Sequence, residues 1–121
     1  MTKQIQSEES IGAMNVQNEK TRVPDAAELR AKSKSDAKDL SRSILAKFKE
    51  HGYVKIRAIG PAAIGKAFTA FTISRSQFTL HGIDAISYGS FFDVEIETTD
   101  EDTGEERKEI KTGITLTIED R

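Results

Sequence analysis

The chain has 121 residues, no cysteine and a formal net charge of −2. This length suits one domain with its own core. The absence of cysteine excludes a disulfide scaffold, a cysteine-ligated zinc site and a cysteine nucleophile. Because no apolar run is long enough to span a membrane and residues 1–10 lack the apolar segment of a signal peptide, we expect a cytoplasmic protein.

The small net charge conceals a strong asymmetry along the chain. Residues 26–80 contain 11 Lys or Arg and 4 Asp or Glu, whereas residues 81–121 contain 4 and 12. Such a division indicates either a basic binding face beside an acidic one, or two halves that attract each other.

The first 25 residues are polar and have no hydrophobic period, so we predict a flexible N-terminal tail over 1–25 and a folded domain over 26–121. The tail is either an extension without a role or an arm that binds a partner.

In the domain, residues 26–32 are predicted to form a short strand. Ser35 is the expected N-cap of a helix over 36–50, and Gly52 is the expected stop signal after it. The apolar stripe of this helix is Ala37, Leu40, Ile44, Leu45 and Phe48.

The central segment predicts a buried strand over 54–59 that passes directly into a second helix. Gly60 ends the strand, and Pro61 suits the first helical position because its missing N–H would have no partner there. The helix should reach about Gln77, with a stripe of Ile64, Ala67, Phe68, Phe71 and Phe78. Further apolar residues cover most of its circumference, so we expect a second subunit to pack against it.

Two strands with alternating apolar and polar residues follow the turn at His81-Gly82, and an acidic turn over 99–106 joins them. The order strand, helix, strand, helix, strand, strand predicts an α+β fold. We expect a two-layer βαβαββ sandwich with a four-stranded sheet and both helices on one face.

The run Val54-Lys-Ile-Arg-Ala-Ile-Gly-Pro-Ala-Ala-Ile-Gly-Lys-Ala-Phe68 resembles the central segment of the Alba-like superfamily, and more closely that of the stage V sporulation protein S family. The resemblance extends upstream through 29–35 and downstream to 114–119. It implies the same element order, a homodimer and a nucleic-acid-binding role without catalysis, in gene expression or in development such as sporulation.

Five cations are the candidate nucleic-acid-binding residues. The first loop and the start of the second helix could share one rim of the sheet, where cations and a helix N-terminus would contact phosphates without reading sequence. The set is Lys32, Lys34, Lys38, Arg42 and Lys66, of which the resemblance implies Lys32, Lys34 and Lys66 most directly; Arg57 is a weaker candidate. The alternative is that these lysines are ordinary solvated surface.

Other chemistries have less support in the sequence. Gly60 to Lys66 satisfies most of a P-loop, but Ala67 lacks the hydroxyl that a magnesium ion needs and Pro61 favours helix. His51 and His81 have no triad or metal spacing, and the acidic side chains of 93–97 suit a solvated strand face. We therefore expect no enzyme activity, no catalytic residue, no metal and no cofactor.

Two departures from the archaeal Alba pattern matter. Archaeal Alba proteins carry an arginine just before the glycine that ends the central strand, whereas this chain has Ile59 there and resembles the sporulation protein S family in having an apolar residue. The hairpin that is generally basic in Alba proteins is acidic here. This hairpin would be repelled by phosphates at short range. It could instead bind a basic protein partner. The alternative functions are thus a protein-interaction module using the hairpin and tail, or a nucleotide-binding enzyme using Gly60–Lys66.

Overall fold

The computed structural model describes residues 16–121. Seven elements follow one another, namely β1 (Gln17–Asn18), β2 (Glu28–Ala31), α1 (Ala37–His51), β3 (Val54–Ala58), α2 (Pro61–Leu80), β4 (Ala85–Thr99) and β5 (Glu106–Asp120). The contacts divide the chain into two compact units. The core unit comprises residues 24–91 and 113–121, and the arm unit comprises the described residues up to Val23 together with 92–112.

The two helices and most strands lie where the sequence predicts them, because local signals define their ends. Gly52 ends α1 with φ 83°, and its N–H donates to the Phe48 carbonyl over 2.7 Å. Pro61 occupies the start of α2 after Gly60, whose φ of 90° favours glycine. α2 runs one turn further than predicted, to Leu80.

The predicted α+β class is confirmed, but the number of strands is not. The sheet has five strands in the order β1-β4-β5-β3-β2. The additional strand is β1, which pairs in parallel with β4 through Gln17 opposite Val94 and Asn18 opposite Glu95. Two residues are too few to show a period, so the sequence assigned them to the tail. Residues 1–15 of that predicted tail lie outside the described residues.

The core unit contains one apolar cluster between the helices and the sheet. Val54, Ile56 and Ala58 of β3 face the same side and pack with side chains of both helices, so both helices cover one face as predicted. Ile44, Val54, Ile56 and Ile118 have no exposed surface. Ser74 of α2 is also fully buried, and its hydroxyl donates to the carbonyl of Ala70 over 2.8 Å and to that of Ser41 in α1 over 3.3 Å.

One apolar residue of the predicted α2 stripe is exposed. Phe68 is 57% exposed, whereas Ala67, Phe71 and Phe78 are buried as expected. Phe68 borders an apolar groove of about 260 Å³ lined by Ile56, Ala58, Ile64, Ala67, Gly89, Ile114 and Leu116. This face of α2 has no cover in the described single chain.

Candidate nucleic-acid interface

The candidate site begins with the pairing of β2 and β3. These strands are parallel, and Ala31 at the end of β2 lies opposite Ala58 at the end of β3. The loop after β2 and the turn into α2 therefore leave the sheet at the same edge. We call this region the cationic edge, and define it as the loop 32–36 together with residues 60–63 at the start of α2.

The loop of the cationic edge is closed by its own hydrogen bonds. The Lys32 N–H donates to the Ser35 hydroxyl over 2.8 Å, and the Ser35 N–H donates to the Lys32 carbonyl over 3.0 Å. Lys32 and Lys34 are exposed, and neither forms an ion pair with any residue in the described part of the chain. Both side chains are thus available to an anion in solution.

The start of α1 at this edge is occupied by a carboxylate of the chain itself. Asp36, not the predicted Ser35, is the N-cap, and its Oδ1 accepts hydrogen bonds from the N–H groups of Lys38 over 2.8 Å and Asp39 over 3.1 Å. These bonds, first that of Asp39 and then that of Lys38, lower the pKa of Asp36. The N–H groups of Lys38 and Asp39 are therefore not available to a phosphate.

The start of α2 differs because no side chain caps it. Gly60 has no side chain and Pro61 has no N–H, so the first donors of the helix are the N–H groups of Ala62 and Ala63. Neither has a hydrogen-bond partner among residues 16–121. The Ile64 N–H already donates to the Gly60 carbonyl over 3.0 Å. An open helix start favours an anion through these donors and the helix dipole.

The remaining candidate cations lie on the first two turns of the helices. Lys66 lies about 8 Å along the axis of α2 from Pro61, and helical side chains lean toward the N-terminus, so Lys66 can reach the cationic edge. Lys38 and Arg42 lie one turn apart on the exposed face of α1. Arg42 is paired with Asp39 over 2.6 Å, so its charge is partly compensated.

Arg57, the weaker candidate, does not face the solvent. It is 8% exposed on β3, and its Nε lies 3.9 Å from Glu28 Oε2. A buried guanidinium beside a carboxylate is poorly placed for a phosphate backbone. The structure thus places Lys32 and Lys34 in the loop at the edge where α2 begins, Lys66 in the second turn of α2, and Lys38 and Arg42 on α1.

Residues 27–121 match the family model described as Stage V sporulation protein S (SpoVS). The chain belongs to the SpoVS family. The match spans the whole of the predicted 26–121 domain except its first residue. Membership associates the chain with a family named for a stage of sporulation, and it agrees with the Alba-like resemblance of the central segment.

In this SpoVS family member, the arm unit contains an exposed turn that is rich in acidic side chains. The Asp100 N–H donates to the Glu105 carbonyl and the Gly104 N–H to the Asp100 carbonyl, each over 2.8 Å. Residues 101–106 are exposed and include four carboxylates. Arg107 pairs with Asp100 over 3.6 Å. Nearer β1, Asn18 donates to the carboxylates of Glu95 and Glu97 over 3.4 Å each.

A polar cluster that the sequence did not predict lies beside β3. Asp25 accepts hydrogen bonds from the Ala27 N–H and the Tyr53 hydroxyl, each over 2.8 Å, and its other oxygen lies 3.5 Å from Lys55 Nζ. The Ala27 bond, followed by the Tyr53 bond, lowers the pKa of Asp25, and the same carboxylate raises the pKa of Tyr53. The partners are 28 residues apart, so no local spacing could identify the pair.

The described residues contain no group of three or more His, Asp or Glu side chains that could hold a metal ion. Among them there is also no helix of the length and apolarity needed to cross a membrane. From Pro61 onward the P-loop-like segment is helix. It therefore lacks the extended loop whose amides would surround a nucleotide phosphate.

Proposed function

We propose that this SpoVS family member is a non-enzymatic nucleic-acid-binding regulator that acts in gene expression or development, such as sporulation. The observation that carries the proposal is the register of β2 and β3. This register leaves the exposed Lys32 and Lys34 at the same edge as the uncapped start of α2.

The proposed contact is with the phosphate backbone. The cationic edge offers ammonium groups and backbone N–H groups, which are ligands for phosphate oxygens and carry no base-specific pattern. Binding should therefore tolerate different sequences and weaken steeply with salt. A helix start beside three lysines can accommodate either DNA or RNA.

We also propose that the active form is a homodimer that buries the open face of α2. The apolar groove beside Phe68 supports this, because an apolar groove bordered by an exposed aromatic ring is costly to leave in water. A C2 pair of chains could insert each Phe68 into the groove of the other chain. A dimer would present two cationic edges to one nucleic acid and so raise its apparent affinity.

The test is fluorescence anisotropy with short duplex DNA and single-stranded RNA at two salt concentrations. Lys32→Glu combined with Lys34→Glu should reduce the affinity for both polymers by tenfold or more at low salt. The matched control is Lys108→Glu combined with Lys111→Glu, which makes the same charge change on exposed positions of β5. Equal losses in the two double variants would show a dependence on net charge alone and would contradict a site at the cationic edge.

A second candidate function is a protein-interaction module that uses the acidic arm and the N-terminal tail. The exposed carboxylates of residues 101–106 favour it, since they would attract a basic protein and repel nucleic acid. Under this alternative, neither polymer binds at low salt, and a basic partner is captured by the intact chain but not by a variant with Glu101, Glu105 and Glu106 changed to Gln.

The nucleotide-binding enzyme is the third alternative. The helical segment 61–66 argues against it, because its amides from Ile64 onward serve the helix and Ala67 offers no hydroxyl to magnesium. Saturable ATP binding that Lys66→Ala abolishes would revive this alternative.

A further inference from the structure

A second cavity lies in the core unit, at the C-terminal ends of the two helices. It has a volume of about 380 Å³ and is partly open to solvent. Leu45, Phe48 and Lys49 line it from α1, and Gln77, Phe78, His81 and Ile83 line it from α2 and the following turn. Volumes from roughly 300 to 1,000 Å³ are typical of small-molecule sites. Both helices start at the cationic edge and end at the opposite edge of the sheet, so the cavity at their ends is separate from the cationic edge.

The cavity has an apolar floor and a polar rim that includes one lysine. Phe48 and Phe78 form the floor, with ring centroids 4.7 Å apart, and Leu45 and Ile83 are partly buried beside them. Lys49 and His81 are exposed at the rim, and none of the seven lining residues is acidic. This combination complements a molecule that has an apolar body and a negative group.

The helix ends themselves do not repel such a molecule strongly. The C-terminal end of a helix carries a partial negative charge on its free carbonyl groups. Here the Phe48 carbonyl accepts from the Gly52 N–H over 2.7 Å, and the Phe78 carbonyl accepts from the N–H groups of His81 and Ile83 over 3.0 and 2.9 Å. These bonds satisfy the carbonyls of two lining residues, so a bound carboxylate would not face them as free acceptors.

We propose that this cavity binds a small amphipathic carboxylate, such as a medium-chain fatty acid. Its apolar chain packs on Phe48 and Phe78, and its carboxylate lies between Lys49 and His81. Both parts are needed, because an anion without an apolar chain gains little from an exposed ion pair, and a neutral chain leaves the Lys49 ammonium without a partner.

The test is titration of the full, isotopically labelled chain with octanoate and, in parallel, with its neutral analogue octanol, followed by amide NMR shifts. Octanoate should shift the signals of Leu45, Phe48, Phe78 and Ile83 in a saturable manner and should bind more tightly than octanol. Acetate should produce no saturable shift. Equal binding of octanol and octanoate, or shifts centred on the groove beside Phe68, would overturn the proposal.

Two variants test the contributions of the cavity rim and the cavity floor to binding separately. Lys49→Glu should weaken octanoate binding roughly fivefold and leave octanol binding unchanged, because it reverses one exposed charge. The control Lys111→Glu makes the same change on β5 and should leave both affinities unchanged. Ile83→Trp should fill the cavity and abolish binding of both molecules. If Ile83→Trp does not fold, Lys49→Glu still decides, since an unchanged affinity for octanoate would refute the assigned carboxylate position.

Discussion

Ala31 lies directly opposite Ala58 in the parallel pair of β2 and β3. This register has a consequence for charge, because each alanine is the last residue of its strand and each strand leads into a helix start. Two helix starts thus meet at one edge, and a side chain caps only one of them. Asp36 caps α1, whereas α2 begins at Gly60 and Pro61 without a side-chain cap.

The open start of α2 can be closed by one substitution. Ala62→Asp places a carboxylate on an exposed position in the first turn of α2, where it should interact favourably with the helix dipole. We expect the melting temperature to stay constant or rise, while the affinity for nucleic acid falls about tenfold. Circular dichroism melting and anisotropy measure the two effects separately.

The control for this prediction is Ala46→Asp. Ala46 is exposed on α1, nine residues beyond its first residue and so about 14 Å along the axis from the cationic edge. It introduces the same charge away from the proposed phosphate position. If Ala46→Asp weakens binding as much as Ala62→Asp does, the helix start has no special role.

The N-cap of α1 provides a second prediction. Asp36→Ala should lower the melting temperature by a few degrees, because it leaves the N–H groups of Lys38 and Asp39 without their acceptor. It should also strengthen nucleic-acid binding, since it removes a negative charge from the cationic edge. Ser35→Ala should cost less stability, because Ser35 accepts from Lys32 in the loop and not from the helix. The reverse order would contradict the cap assignment.

Signals within a few residues of one another account for what the sequence predicted well. Gly52, Gly60 and Pro61 define element ends through their own backbone preferences, and each acts as expected. The prediction of Ser35 as the N-cap was wrong because Ser35 and Asp36 are both suitable capping residues, and the hydrogen bond from the Lys32 N–H to Ser35 cannot be recognised from sequence spacing.

Contacts between distant residues account for what the sequence missed. β1 exists through its pairing with β4, more than 70 residues away, and the hydrogen bond between Tyr53 and Asp25 joins residues 28 positions apart. For the candidate site, the shared edge of the loop after β2 and the start of α2 was predictable from the order of elements. The open state of one helix start and the capped state of the other were not.

The pair of Asp25 and Tyr53 makes a prediction about pH. The pKa of Asp25 is lowered in the folded state, so its contribution to stability is present above its unfolded value near pH 4 and is lost as the pH falls through the folded value. The difference in melting temperature between the wild type and Asp25→Asn should be constant above about pH 5 and should shrink in acid.

The same pair can be observed from the tyrosine. Asp25 raises the pKa of Tyr53 through its hydrogen bond. In a Tyr88→Phe background, where Tyr53 is the sole tyrosine, the absorbance titration of the phenol should move to lower pH when Asp25 is changed to Asn. An unmoved titration would mean that the hydrogen bond does not persist in solution.

Ser74 tests the contact between the helices. Its hydroxyl is fully buried and donates to the carbonyls of Ala70 and Ser41. Ser74→Ala should lower the free energy of unfolding by about 1 kcal/mol, the typical net value of a buried hydrogen bond. Ser74→Leu should cost more, because it forces extra volume between packed helices. Denaturant unfolding measures both, and the exposed Ser76→Ala is the control.

Phe68 tests the proposed dimer. In an isolated chain this ring is 57% exposed, so Phe68→Glu should change the stability of a monomer little. In a dimer that buries the groove, a carboxylate at this position would be desolvated without a partner, and the dimer should dissociate. Sedimentation or light scattering should therefore report a dimer for the wild type and a monomer for the variant.

Phe91→Glu is the matched control, because Phe91 is 81% exposed on β4 and does not line the groove. It should remain dimeric. Dissociation of a Phe68→Glu dimer should also reduce the affinity for a long nucleic acid more than for one too short to contact two cationic edges, since only the long polymer gains from bivalent binding. A wild-type chain that sediments as a monomer at every concentration would refute both the dimer and this length dependence, and would leave the cationic edge as a single phosphate contact.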